Sequence, residues 1–215
     1  MLLPSVAVDD ADALAQSLSE CGACRIEGLP AAAATIQLRA ELRRLQSGAM
    51  LTPAAIGHHG LHAHRAGIRG DSTLWLDDLR CGAASRQLLA TLDDLRDALN
   101  RRLFQGLTEV EAHYASYPPD TGYARHRDRF RDNDANASAA SSRILSLVCY
   151  LNDDWSEADG GALRLYLDPG ALEDGAVDVR PLGGSSICFL SELEHEVLPA
   201  TRERLSIAAW FRRGR

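Results

Sequence analysis

The sequence predicts an α+β domain with a jelly-roll core (a double-stranded β-helix) and N-terminal helices packed on one face. Two observations lead to this fold class. Apolar residues recur at helical spacing only in the first half of the chain, whereas short segments rich in Val, Ile, Tyr and Phe alternate with Gly, Pro and Asp turns after residue 108. Helices that precede the strands, rather than alternating with them, are typical of helices packed on one side of an antiparallel core.

Helices are predicted in the first half at residues 9–20, from Pro30 to about Gln46, and from the capping residue Ser85 to Leu103. Leu residues three and four apart mark the buried face of the last helix. Ile36 is among the apolar positions of the second helix, and a short strand is predicted at 25–28. Residues 47–73 show no period, and we expect a long mobile loop there.

Strands are predicted after residue 108 at about 109–117, 122–127, 143–151, 162–167, 177–180, 185–190, 194–197 and 204–212. The acidic stretch Asp132–Ser142, rich in Ala and Ser, is predicted to be a surface loop. No linker rich in Pro, Gly or Ser divides the chain. We therefore expect one compact domain, in which residues 1–108 form a helical support region with the mobile loop and residues 109–215 form the jelly-roll core.

Composition narrows the classes of partner and location. The net charge of −7 argues against nucleic acid, because phosphate binding favours a basic surface. No apolar stretch reaches the ~20 residues of a membrane span, and the chain begins without the basic segment of a signal peptide, so no membrane partner and a cytoplasmic location are expected. Cys21 and Cys24 form a CxxC that could be a redox pair or half of a zinc site, whereas Cys149 and Cys188 are predicted core thiols.

A candidate metal site begins with His126-x-Asp128. Side chains of a strand repeat every two residues, so both would lie on one face of a strand. His195 is the natural third ligand, and two His with one carboxylate leave the open positions that non-haem Fe(II) oxygenases use. By itself the motif also fits a surface His beside a charged turn.

Arg204 strengthens the case for this site. It opens an apolar strand in which Arg204, Ser206, Ala208 and Trp210 share one face. A buried guanidinium is costly unless a carboxylate pairs with it, and the distal carboxylate of an oxo-acid would do so. Glu196 or another protein acid is the alternative partner.

These residues belong to a longer series of motifs that resembles the Fe(II)/2-oxoglutarate-dependent dioxygenases, and within them the prolyl 4-hydroxylase branch. The chain is similar to the hypoxia-sensing (HIF-type) prolyl hydroxylases and their bacterial homologues from about residue 10 to 212. The matching segments, in order, are Ile68-Arg69-Gly70-Asp71 with Trp75, Tyr117-Pro118 to Gly122-Tyr123, His126-x-Asp128, Tyr150-Leu151-Asn152-x-Asp154-Trp155, Gly160-Gly161-x-Leu163-Arg164, and His195-Glu196-Val197 to Arg204.

The resemblance implies roles for further residues. It places Tyr150 with Arg204 on the distal carboxylate of 2-oxoglutarate, and Tyr117 beside the same cosubstrate. Asp71 and Arg143 match positions that link the core to a loop over the substrate, and Trp210 would line the substrate pocket together with Val148 and Leu163. Tyr150 and Trp210 are also residues that a β core needs, and Asp71 with Arg143 could be structural.

The activity implied by the resemblance is hydroxylation of a prolyl residue in a protein substrate, with Fe(II), 2-oxoglutarate and O2 consumed to give succinate and CO2, and with ascorbate in support. Hydroxylation of a free amino acid or small metabolite, and a non-catalytic iron and oxo-acid sensor, are the alternatives. Demethylation of nucleic acid is disfavoured, since Trp210 stands where that branch has a second Arg. The chain departs from its relatives in the His-rich segment His58–His64, so the resemblance does not identify the substrate. The segment could also hold a stray metal.

Overall fold

The computed structural model describes residues 3–54, 68–129, 143–168 and 175–214. Its helices are α1 (Ala11–Cys21), α2 (Ala32–Ser47) and α3 (Ala83–Leu103), and a 3-10 turn lies at Glu157–Asp159. Its strands are β1 (Ser5–Ala7), β2 (Ala23–Glu27), β3 (Thr52–Pro53), β4 (Ser72–Trp75), β5 (Leu107–Tyr117), β6 (Tyr123–His126), β7 (Arg143–Tyr150), β8 (Leu163–Tyr166), β9 (Ala176–Val179), β10 (Ser185–Leu190), β11 (Glu194–Val197) and β12 (Arg204–Arg213).

The strands form two facing sheets. The large sheet has eight strands in the order β1-β2-β10-β7-β12-β5-β4-β3, and the small sheet has four in the order β6-β11-β8-β9. Apart from the parallel pair β1 and β2, all pairings are antiparallel. The predicted α+β jelly roll is confirmed, and the eight strands predicted after residue 108 all form within two residues of their expected bounds.

The large sheet separates two apolar cores. On one face, Leu side chains of α1, α2 and α3 pack against the outward residues of the sheet, among them Leu147 on β7 and Ile207 on β12. On the other face, Tyr150 and Phe189 meet Leu165 of the small sheet. The helices therefore cover one side of the large sheet, and the space between the two sheets is left for the functional groups.

The N-terminal region contributes strands as well as helices. β1 and β2 extend one edge of the large sheet, and β3 and β4 extend the other. Within the segment predicted to be a loop, Thr52 and Pro53 pair with Thr73 and Ser72. These short strands are set by partners distant in the chain, so local periodicity does not reveal them.

Three local predictions about the helices are wrong. Helix α2 begins at Ala32 rather than Pro30, and Ile36 is 60% exposed because Thr35 takes the buried position beside it. Ser85 does not cap α3, which begins two residues earlier. Its buried hydroxyl instead donates to Glu41 and lies 3.0 Å from the Tyr114 hydroxyl, since a buried polar group requires a partner across the core.

All five cysteines are free thiols. Cys149 and Cys188 are fully buried, as predicted. Burial, with a smaller effect of neighbouring Cys21, raises the pKa of Cys24 to about 12, which disfavours a reactive thiolate in the CxxC segment. No helix in the described parts of the chain has the length and hydropathy of a membrane span. The predicted surface loop Asp132–Ser142 and the His58–His64 segment lie outside the described residues.

Candidate metal centre

His126, Asp128 and His195 converge between the two sheets. His126 ends β6 and is the direct partner of His195 on β11, so strand pairing sets the two imidazoles side by side with ring centroids 4.2 Å apart. Asp128 lies two residues beyond His126. Its Oδ1 is 3.7 Å from His126 Nε2 and its Oδ2 is 3.5 Å from His195 Nε2. Two ligands of one ion at about 2.0–2.2 Å each can be no farther than ~4.4 Å apart, so these contacts fit a shared ion.

Both imidazoles are held in the tautomer that metal binding requires. Nδ1 of His126 lies 2.8 Å from the carbonyl oxygen of Ala124, and Nδ1 of His195 lies 3.1 Å from that of Leu193. A carbonyl oxygen can only accept, so each Nδ1 carries the proton and each Nε2 presents a lone pair to the centre. Burial, and then the neighbouring His195, lowers the pKa of His126 to about 3, which keeps this ring neutral.

The carboxylate of Asp128 is supported by two serines. Ser146 on β7 donates to Asp128 Oδ2 at 2.7 Å, and its hydroxyl oxygen lies 2.9 Å from that of Ser191. Burial by itself would raise the pKa of Asp128, but His195, His126, Arg143 and the indole N–H of Trp210 together outweigh that effect and hold the pKa below its usual range. The site therefore offers two imidazole nitrogens and one carboxylate oxygen.

Arg204 and Tyr150 form a second feature in the same space between the sheets. The Arg204 side chain is buried, with Nε donating to the Gly161 carbonyl at 3.0 Å and Nη1 donating to Ser206 Oγ at 3.0 Å. Its Nη2 and the Tyr150 hydroxyl are both buried without a hydrogen-bond partner. An unpaired cation beside an unpaired hydroxyl is costly, so this pair is suited to a carboxylate from outside the protein.

Two further residues shape this anion-binding pair. The Arg204 guanidinium lies 5.3 Å from the ring centroid of Tyr117, and the role of Tyr117 toward the cosubstrate stays a prediction. Gly161 has a left-handed φ of +69°, and a Cβ there would lie 2.9 Å from Ala200 Cβ and 3.4 Å from Arg204 Cδ. Glu196, the alternative partner for Arg204, accepts instead from the Tyr166 hydroxyl.

The residues assigned to substrate have partners within the protein. Asp71 is buried and receives two hydrogen bonds from Arg69, at 2.7 and 3.0 Å. Arg143 pairs with Glu111 at 2.7 Å, and its Cζ lies 3.7 Å from the ring centroid of Trp210. Asp71 and Arg143 are therefore not paired with each other among the described residues. Their roles toward substrate stay predictions.

Several residues at the site escaped the sequence reasoning. Ser146 and Ser191 carry no motif, because their role follows from the neighbouring strands that bring them to Asp128. His113 on β5 is buried between Trp75 and Trp210. In the sequence, the alternation of the predicted strand places His113 on the same face as Ala115. That pattern does not distinguish a core residue from a functional one.

Comparison with known proteins agrees with this geometry. The model of the 2OG-Fe(II) oxygenase superfamily matches residues 112–212. A crystal structure of a Pseudomonas putida prolyl-4-hydroxylase is similar to the chain with 40% identity and a TM-score of 0.80, over 95% of this chain and 100% of that one. The chain belongs to the prolyl 4-hydroxylase branch of the 2OG-Fe(II) oxygenase superfamily. A prolyl hydroxylase structure from Trichoplax adhaerens, in complex with a hypoxia inducible factor oxygen degradation domain peptide fragment, shares the fold at 24% identity and a TM-score of 0.79, over 95% and 90% of the two chains.

A curated relative is the hypoxia-inducible factor prolyl hydroxylase of Caenorhabditis elegans, which is 26% identical over 182 residues. That match covers 80% of this chain but only 24% of the worm protein. In this prolyl hydroxylase fold, the residues of the site fit both groups that the family implies, Fe(II) and 2-oxoglutarate. The triad has the ligand set for Fe(II), and the unpaired Arg204 Nη2 and Tyr150 hydroxyl fit the distal carboxylate of 2-oxoglutarate.

Proposed function

We propose that this protein is an Fe(II)- and 2-oxoglutarate-dependent dioxygenase that hydroxylates a prolyl residue of a protein substrate. His126, Asp128 and His195 would hold the iron, and Arg204 with Tyr150 would hold 2-oxoglutarate. Oxygen would be consumed, and succinate and CO2 released. Ascorbate as a supporting reductant and a cytoplasmic location are parts of the same proposal.

The observation that carries the proposal is that two incomplete sites lie in the same space between the two sheets. A metal triad with two His and one carboxylate occupies only one face of an octahedron, which leaves positions for a chelating cosubstrate and for oxygen. On the inner face of the large sheet, Arg204 Nη2 and the Tyr150 hydroxyl are buried and have no hydrogen-bond partner among the described residues. An acid that chelates the metal at one end and carries a carboxylate at the other satisfies both.

When bound, iron and 2-oxoglutarate together supply the oxidising chemistry for hydroxylating a C–H bond. The protein's own residues prepare the site for them. The Ala124 and Leu193 carbonyls hold the two imidazole Nε2 lone pairs toward the centre, and Ser146 holds the Asp128 carboxylate. Arg204 and Tyr150 orient the oxo-acid, because a misplaced reactant costs rate steeply.

A protein substrate is supported by the relatives and by charge. The similar proteins are prolyl hydroxylases, and the one from Trichoplax adhaerens is a complex with a peptide. The net charge of −7 disfavours nucleic acid as the alternative polymer. A free amino acid or small metabolite would need a closed pocket, whereas the half-exposed Trp75 lies at the outer end of an aromatic cluster that reaches Trp210.

The test is incubation of the purified protein with Fe(II), 2-oxoglutarate, ascorbate and a host-cell lysate, followed by mass spectrometry of the proteins. New oxygen additions on prolyl residues, with matching succinate, are expected. Asp128→Ala should abolish both, whereas Asp178→Ala, an acidic residue paired with Arg164 on the small sheet, should leave both intact. Oxygen additions confined to other residue types or to free metabolites would contradict the proposed substrate, and full activity of Asp128→Ala would contradict the metal assignment.

A further inference from the structure

His113 lies on the inner face of the large sheet but takes no part in the metal or oxo-acid sites. On β5 it pairs with Ala208 of β12, and so shares the face that carries Arg204 and Trp210. Its ring centroid is 5.2 Å from that of Trp75 and 5.2 Å from that of Trp210. Only 5% of its surface is exposed. The fold thus buries a titratable ring between two indoles on the inner face of the large sheet.

The cluster Trp210–His113–Trp75 runs across three neighbouring strands of the large sheet, from the strand next to the serine that supports Asp128 to an exposed indole on β4. Trp210 pairs on β12 with Ser146, the serine that supports Asp128. His113 follows across β5, and Trp75 on β4 is 44% exposed. A polypeptide that places a residue at the metal would therefore extend its neighbouring residues along this cluster.

The hydrogen bonding of His113 defines what its free nitrogen can do. Nδ1 lies 3.0 Å from the carbonyl oxygen of Tyr114, so Nδ1 must carry a proton and donate it. Burial, followed by the positive charge of Arg69, lowers the pKa of His113 to about 4, while Asp71 opposes and Arg143 assists that shift. The ring is therefore neutral near pH 7, and Nε2 is a bare acceptor without a hydrogen-bond partner among the described residues.

We propose that His113 is a specificity-determining residue whose Nε2 accepts a hydrogen bond from the backbone N–H of the residue that follows the target proline. A prolyl residue has no N–H of its own, so the first donor after it belongs to the next residue. A fixed neutral acceptor favours a substrate that has an N–H at the matching position. A substrate without that N–H would cover the acceptor and leave it unpaired, which is costly. This inference rests on the proposed prolyl hydroxylation.

The experiment uses blocked proline-containing peptides and the intact enzyme with Fe(II) and 2-oxoglutarate. A synthetic pool is screened first, and the peptide hydroxylated fastest becomes the parent probe. Two analogues replace a single amide by an ester, which removes one N–H. In the first the lost N–H follows the proline, and in the second, the matched control, it belongs to the residue before the proline.

The kcat/KM of wild-type enzyme should be about tenfold lower for the first ester than for the parent peptide, which is the effect expected for one lost hydrogen bond to a buried group. The kcat/KM for the control ester should change little. His113→Leu should turn over the parent peptide about as poorly as wild type turns over the first ester, and should no longer distinguish the two peptides. His113→Gln keeps an acceptor and should retain part of the discrimination. Dissociation constants measured under nitrogen, with iron and 2-oxoglutarate bound, should show the same pattern without turnover.

Two outcomes separate this inference from the proposed function. Hydroxylation of the parent peptide with no penalty for the first ester in wild-type enzyme would overturn the role of His113 but leave prolyl hydroxylation standing. Retention of the full penalty by His113→Leu would overturn that role in the same way. Because the wild-type comparison needs no variant, the inference can be refuted even if His113→Leu fails to fold. An enzyme that hydroxylates no peptide in the pool would overturn both.

Discussion

The guanidinium of Arg204 lies 5.3 Å from the ring centroid of Tyr150, and each side chain buries one polar atom, Nη2 and the hydroxyl, that no protein group among the described residues satisfies. Natural cores rarely leave such groups unpaired. This pair is therefore the clearest sign that the protein is built around a ligand carboxylate, and it leads to the first of four predictions.

Tyr150→Phe should weaken 2-oxoglutarate binding and leave the ligand-free protein as stable as before or slightly more so. The hydroxyl contributes only to the bound carboxylate, so its loss should raise the KM for 2-oxoglutarate by about fivefold to twentyfold. Steady-state kinetics and thermal melting measure the two effects. Tyr114→Phe is the control, because the Tyr114 hydroxyl bonds to Ser85 on the helix side of the sheet, and its loss should lower stability without changing the KM. A destabilised Tyr150→Phe with an unchanged KM would refute the carboxylate role.

Ser146→Ala should weaken iron binding. The serine hydroxyl holds Asp128 Oδ2 at 2.7 Å, and loss of such a supporting hydrogen bond lowers metal affinity by roughly tenfold or more. Anaerobic titration with Fe(II) measures this directly. Ser186→Ala removes a hydroxyl that is equally buried but donates to the Leu29 carbonyl, and we expect its iron affinity to match that of the wild type. Equal affinities for all three proteins would show that Ser146 does not support the ligand.

Gly161→Ala should impair the oxo-acid site through Arg204. Its backbone has a left-handed φ of +69°, and the added methyl group would press on Trp155 and on Arg204 Cδ at 3.1 and 3.4 Å. We expect the KM for 2-oxoglutarate to rise about tenfold, because displacement of the guanidinium costs the ion pair its geometry. Gly184→Ala is the control. Gly184 also has a left-handed φ, of +78°, but the nearest atom to an added Cβ there is on Thr35, 3.7 Å away. That variant should lose a little stability and keep the KM, and an identical effect of the two substitutions on the KM would count against this explanation.

His113 should make stability fall as the pH is lowered from about 6.5 to about 4. Its pKa is depressed in the folded protein to about 4, so between these values the unfolded chain binds a proton that the folded chain does not. Acidification therefore favours unfolding, by up to about 1.4 kcal/mol per pH unit for one group. Urea unfolding of the metal-free protein at several pH values measures the slope. His113→Gln should show a shallower slope over this interval, and an unchanged slope would mean that His113 titrates normally.

Sequence reasoning worked best where a local period reports a physical requirement. The alternation from Arg204 to Phe211 separated the cavity face of β12 from its helix face, and the structure confirms it, because successive side chains of a strand must point to opposite sides. It failed where a partner decides the local outcome. Ser85 has the residue type and position of a helix cap, yet Glu41 and the buried Tyr114 draw its hydroxyl into the core.

What the sequence alone determined is the chemistry available: His126 and Asp128 two residues apart, a third imidazole at residue 195, and an arginine at the start of an apolar strand. Only the tertiary structure decided which groups meet. The pairing of β6 with β11 brings His195 to His126, and the place of β7 beside β12 brings Ser146 and Tyr150 to the same cavity. Strand neighbours are chosen by burial of apolar surface across the whole domain, a property of the assembled sheets that no short stretch of residues encodes.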